Sequence, residues 1–127
     1  EPGARGSMVV PLREQREPDW IDAHSLRFLR SGSVEHVDLH LVVPRYFDVD
    51  RLHAIDPQIE DVLIGATGRP GEAIVHFDPC RPRHCGGCAV EPCPVRSAPL
   101  VAQRPITLDR ATRGDEMLDT GAPVAPV

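Results

Sequence analysis

The sequence predicts an α+β domain built on a small three-stranded mixed sheet, and three stretches predict it. Val34 to Val43 reads VEHVDLHLVV, with Val37, Leu39, Leu41 and Val43 on one face and His36, Asp38 and His40 on the other. Asp48 to Gly65 reads DVDRLHAIDPQIEDVLIG, where Val49, Leu52, Ile55, Ile59, Val62 and Leu63 fall on one face of a helix. Ala73 to Asp78 alternates again, Val75 and Phe77 against Ile74, His76 and Asp78. A strand, a crossover helix and a second strand usually run parallel, which leaves the helices on one face of the sheet.

Taken in order, EPGARGS before Met8 reads as a cloning remnant and is set apart from the fold as residues 1–7. Leu12 to Trp20, LREQREPDW, predicts a short helix ending at Glu17, because Pro18 disfavours helical backbone in the residue before it. Trp20 and Ile21 follow as an apolar anchor. His24 to Arg30, HSLRFLR, is the first strand of a hairpin that turns at SerGlySer 31–33. Asp48 or Asp50 caps the long helix. Pro57 inside it predicts a kink or break, since it removes a backbone hydrogen bond at a cost of about 3 kcal/mol. The packed domain is thus residues 8–79, followed by a Cys-rich loop over 80–94. Residues 95–127 form an extended, Pro-rich, largely irregular tail, with one or two helical turns over Thr107 to Arg113, Thr107 as their cap, and the last ten residues disordered.

Composition excludes several functions. The 127 residues hold 14 arginines and no lysine against 19 acidic residues, a net charge of -5, which argues against nucleic acid as a partner. No run of eighteen apolar residues inserts this piece into a membrane, and no leader suggests secretion. No Ser-His-Asp context, phosphate-cradling glycine loop or HExxH is present, so an enzyme is not expected.

Two constellations carry chemistry, and they adjoin in IVHFDPCRPRHCGGCAVEPCP, Ile74 to Pro94. The first lies on the polar strand faces: His36, Asp38 and His40 on one strand, His76 and Asp78 on another. Strands about 4.8 Å apart let imidazoles and a carboxylate converge on one cation, and His24 could join them. Solvated surface histidines are the plainer alternative, and His36 is the weakest member. The second is Cys80, Cys85, Cys88 and Cys93, with His84 as an alternate ligand. The glycines of CGGC let two thiolates reach one ion, and Arg81, Arg83 and Arg96 favour the thiolate form. Tetrahedral Zn2+ is one reading. The spacing is also similar to plant-type iron-sulfur ligation, CGGC to a redox dithiol, and free thiols in a loop complete the alternatives.

DAHSLRFLRSGSVEHVDLHLVV, DVDRLHAIDPQIEDVL and AIVHFDPC together resemble the C-terminal cytoplasmic domain of cation diffusion facilitator transporters. The resemblance implies a metallochaperone-like, ferredoxin-related α-β-β-α-β fold in a homodimer that binds zinc or another divalent transition metal at the protomer interface. It implies His24, His40, His53, His76 and Asp78 as ligands, with His53 on the helix serving the interface. It further implies that metal closes the dimer, promoting proton-coupled export by the transmembrane domain of the same full-length chain. The domain would lie on the cytoplasmic side of the bacterial inner membrane. The alternative function is a free-standing zinc-binding or zinc-ribbon interaction module, or a metallochaperone.

Overall fold

The computed structural model describes residues 2–114, with side chains from Arg5 onward. Helix α1 spans Pro2–Gln15, strands β1 and β2 span Asp22–Ser31 and Val34–Val43, helix α2 spans Val49–Thr67, and strand β3 spans Gly71–Pro79. A 3₁₀ turn at Pro82–Gly87 and a short helix α3, Leu108–Thr112, complete the chain. The sheet order is β1-β2-β3, with β1 antiparallel and β3 parallel to the central β2. This is the expected α-β-β-α-β order and mixed sheet.

The alternation in β2 decides what each sheet face does. Val37, Leu39, Leu41 and Val43 are at most 3% exposed and pack against Ile55, Ile59, Val62 and Leu63 of α2. Each such side chain contributes about 1.5–3 kcal/mol on burial. Glu35, also on the core face and only 1% exposed, pairs with Arg30 at 3.2 Å and Arg69 at 3.6 Å.

Helix α2 starts where Asp48 accepts a hydrogen bond from the Arg51 N–H at 2.8 Å. It ends at Gly68, whose φ of +68° is the left-handed cap that glycine adopts without strain. The helix is assigned continuously through Pro57, so the expected break does not occur. Pro57 and His53, four residues back, are both exposed on the solvent side of the helix, while Ile55 and Ile59 on either side of Pro57 stay seated in the core.

The first helix corrects the sequence reading. It covers Pro2–Gln15 rather than Leu12 to Glu17, and so includes most of the stretch set apart as a cloning remnant. Met8, Val9 and Leu12 share a face and join the main core, which stabilises the helix despite Pro11. The chain then turns ahead of Trp20, as the constraint at Pro18 requires, and Arg16 donates to the carbonyls of Trp20 at 2.9 Å and Ile21 at 2.7 Å.

The C-terminal segment packs on this framework. Residues 95–107 are irregular, while α3 begins at Thr107, whose hydroxyl accepts from the Arg110 N–H at 3.2 Å, as expected from sequence. Ile106 and Ala111 are buried in the same core as α1, and Arg13 donates to the Ile106 carbonyl at 3.1 Å. The disorder expected for the last ten residues lies outside the described residues. Among the described residues, no helix is long and apolar enough to cross a membrane.

Candidate metal centre

The site is assembled by strand register on the sheet face away from the main core. His24 of β1 pairs with His40 of β2, and His40 pairs with His76 of β3, so three imidazoles form a row across the sheet. Asp78, two residues beyond His76, returns to the same face by the period of the strand. The His24 and His40 rings lie 5.0 Å apart, and the His40 and His76 rings stack at 4.5 Å with an interplanar angle of 15°.

Asp78 is the hub. Its Oδ2 lies 2.9 Å from His24 Nε2 and 3.1 Å from His40 Nδ1, so one oxygen accepts from both rings when those nitrogens carry protons. Burial pushes the Asp78 carboxyl up, but the hydrogen bonds and positive charge of the two histidines more than offset it and hold the carboxyl below its ordinary range.

One local irregularity aims His24. The β1 to β2 register slips between His24 and Arg27, and Ser25 sits in the left-handed region at φ +54°. Its hydroxyl lies 3.2 Å from His24 Nδ1, so Nδ1 engages Ser25 while Nε2 faces Asp78. Outer hydrogen bonds of this kind fix the tautomer and ring orientation of a ligating histidine. Sequence pattern did not single out Ser25, because a bulge in mid-strand leaves no periodic signal.

Of the residues predicted from sequence, His24, His40 and Asp78 converge. Their ligand atoms lie within 4.8 Å of one another, the one such group of three among the described residues. Two imidazole nitrogens and a carboxylate oxygen, partly buried, are a donor set that fits zinc and related borderline cations. His76 stands beside the trio, against His40. His36 lies four residues along β2 and pairs with Glu72 at 2.9 Å, outside the site.

His53 is not brought to this face. It is exposed on α2, on the helix layer, beside a groove that also includes Asp56, Glu60 and Phe77. A hydrogen bond shared with Asp56, followed by burial and the charges of Asp56 and Asp61, raises Glu60 to about 7. A folded-state value above the unfolded one means the proton-sharing stabilises at low pH and is lost as pH rises through about 7. Glu60→Gln is therefore expected to raise the midpoint of thermal unfolding at about pH 8 and leave it nearly unchanged at about pH 5. An equal effect at both values would refute this assignment.

The cysteines follow the site along the chain. All four are free thiols, Cys88 buried and the others half-buried, and they supply no group of three ligand atoms within 4.8 Å. His84 is buried, and its Nδ1 accepts from the Arg81 N–H at 2.8 Å to cap the 3₁₀ turn, so that nitrogen is engaged structurally. Gly87 has its own reason: a Cβ there would stand 2.9 Å from Arg104 Cγ, so the CGGC turn is shaped by packing of the later chain.

A family profile described as cation efflux protein, cytoplasmic domain, matches residues 14–80. Among solved structures, the metal-bound C-terminal domain of the CzcD transporter from Thermotoga maritima is similar with a TM-score of 0.53 and 17% identity, over 61% of this chain and 87% of that one. The MamB C-terminal-domain magnetosome protein of Desulfamplus magnetovallimortis BW-1 is similar with a TM-score of 0.55 and 15% identity, over 62% of this chain and 95% of that one. At these identities the likeness shows a shared fold. No curated protein matches the chain.

Proposed function

Because the chain belongs to the family of cation efflux protein cytoplasmic domains, matched over residues 14–80, we propose that it is the metal-responsive regulatory domain of a zinc-class efflux transporter. The observation that carries this reading is the convergence of His24, His40 and Asp78 on one sheet face. An ionised carboxylate between two imidazoles supplies negative charge and two nitrogen donors to a divalent cation, and Ser25 restrains His24. His76, stacked on His40, adds a further nitrogen at the rim.

In this reading two copies of the chain form a homodimer, and His53 of one protomer approaches the strand ligands of the other. A ligand shifts a conformational equilibrium only by its differential affinity for the two states. Donors drawn from two protomers provide that difference, since they meet only in the closed dimer. Metal then populates the closed form, which promotes proton-coupled export by the transmembrane domain of the full-length chain on the cytoplasmic side of the membrane. Metal is the signal here, and the domain is not an enzyme.

The test is zinc titration followed by solution scattering on the wild type and His53→Ala. Zinc is expected to compact the wild-type dimer, while His53→Ala still binds zinc at the strand trio but loses most of the compaction. Identical compaction in the two proteins would remove His53 from the closing mechanism. No zinc-dependent change in either would remove closure itself.

A further inference from the structure

The Cys-rich segment folds back onto the sheet. Cys80 extends β3, its N–H donating to the Val43 carbonyl at 2.8 Å. Cys88 then packs with Ile21 and Val42, with Cys80 and Val90 against them. Val42 lies two residues beyond His40 and pairs with Asp78, so this small second core is one step from the strand trio on the same face.

All four cysteines, spread over fourteen residues, line one cavity of about 20 Å³. That volume admits one occupant the size of a water molecule or an ion. Arg45, Arg81 and Arg96 also line it, bringing positive charge to offset thiolates. Three of the sulfurs already meet polar partners: the Arg45 N–H donates to Cys80 at 3.4 Å, the Val90 N–H donates to Cys88 at 3.4 Å, and Ser97 Oγ lies 3.5 Å from Cys85.

The surrounding backbone is tied in place. The Arg96 guanidinium donates to the carbonyls of Cys85 at 3.0 Å, Cys88 at 2.8 Å, Val90 at 2.8 Å and Ala98 at 2.9 Å. The Gly86 carbonyl accepts from the N–H groups of Val101 at 2.8 Å and Ala102 at 3.1 Å. The segment is thus a built loop around a common void, and because no three of the sulfurs lie within 4.8 Å of one another, ligation requires the cysteine side chains to turn inward.

We propose that Cys80, Cys85, Cys88 and Cys93 form a second metal site, taking one zinc-class cation as four thiolates and fastening the C-terminal segment over the sheet. On binding, each thiol proton passes to solvent and the sulfur lone pair goes to the cation, with no change of oxidation state. The site is chemically distinct from the strand trio, all sulfur against nitrogen and oxygen, and it stands whether or not metal closes a dimer.

Cobalt(II) added to the reduced full chain tests it, with Asp78→Ala included to disable the strand trio. Both proteins are expected to show thiolate-to-cobalt charge-transfer absorption saturating at about one ion per chain, lost in Cys80→Ser and Cys93→Ser. Zinc is expected to slow alkylation of the wild-type thiols about tenfold or more, with chelator restoring the rate. That measurement needs no variant and so stands if a serine variant fails to fold. Cobalt binding without charge-transfer absorption, or equal alkylation with and without zinc, overturns the site.

Discussion

Replacing Asp78 with alanine is expected to lower zinc affinity by at least about 100-fold at neutral pH, since even outer-shell partners of a metal site cost about 10–100-fold when removed. Asp78 is the one carboxylate in the trio and the group that both His24 and His40 face. Without it, two imidazoles 5.0 Å apart remain with no negative charge between them. Asp78→Asn is expected to fall between wild type and alanine, keeping an oxygen but losing the charge. Ser25→Ala, which removes the His24 partner while keeping every ligand, is expected to cost about tenfold. Competition with a coloured chelator at fixed pH measures all three, in a Cys-to-Ser background so that thiolates do not contribute. A loss below about threefold for Asp78→Ala would show that the trio is not the binding site.

The pH dependence follows from the same geometry. The Asp78 carboxyl is held below its ordinary range, so its contribution to stability is present through neutral pH and is lost only as pH falls through that depressed value. Protonation of Asp78 is therefore expected to leave zinc affinity unaffected across neutral pH and to weaken it only in acid, below the ordinary carboxylate range, which chelator competition over a pH series measures.

The second large effect is structural. Leu39→Ala is expected to destabilise the domain by about 2–5 kcal/mol. Leu39 is wholly buried in the central strand, within the cluster that contains Ile59 and Leu63 of α2. The sheet has a neighbour on each side of β2 and the helix layer above it, so the cavity cannot easily collapse. Domains of this size are stable by only about 5–15 kcal/mol, so the variant should be partly unfolded under mild conditions. Urea denaturation should show a lower midpoint with an unchanged slope. A loss below about 1 kcal/mol would mean that Leu39 does not anchor the core. Zinc should recover part of the stability by binding the folded state alone, and less of it when Asp78→Ala is added.

These expectations separate what short-range pattern decides from what packing decides. The alternation of β2 and the apolar spacing of α2 are legible because both depend on residues a few positions apart. The caps at Asp48 and Thr107 are legible for the same reason. Pattern also places His40 and Asp78 on polar strand faces. The extent of α1 was not legible, because Met8 and Val9 are helical through contact with α2 and the tail rather than through local preference. Nor was the passage of α2 through Pro57, where the buried face overrides the proline.

By itself, then, the sequence determined the α+β class, the strand and helix periods, the two ligand-bearing stretches and the family resemblance. Tertiary structure decided which ligands meet. His24 and Asp78 are 54 residues apart and come within 2.9 Å only because β1 and β3 flank the same strand in one register, with a bulge at Ser25 aiming the ring. It decided equally that His36 falls outside the site, that the helix carrying His53 packs away from the trio, and that the cysteines gather around one void beside Ile21. Register and packing are sums over many distant contacts, which no single stretch of sequence carries.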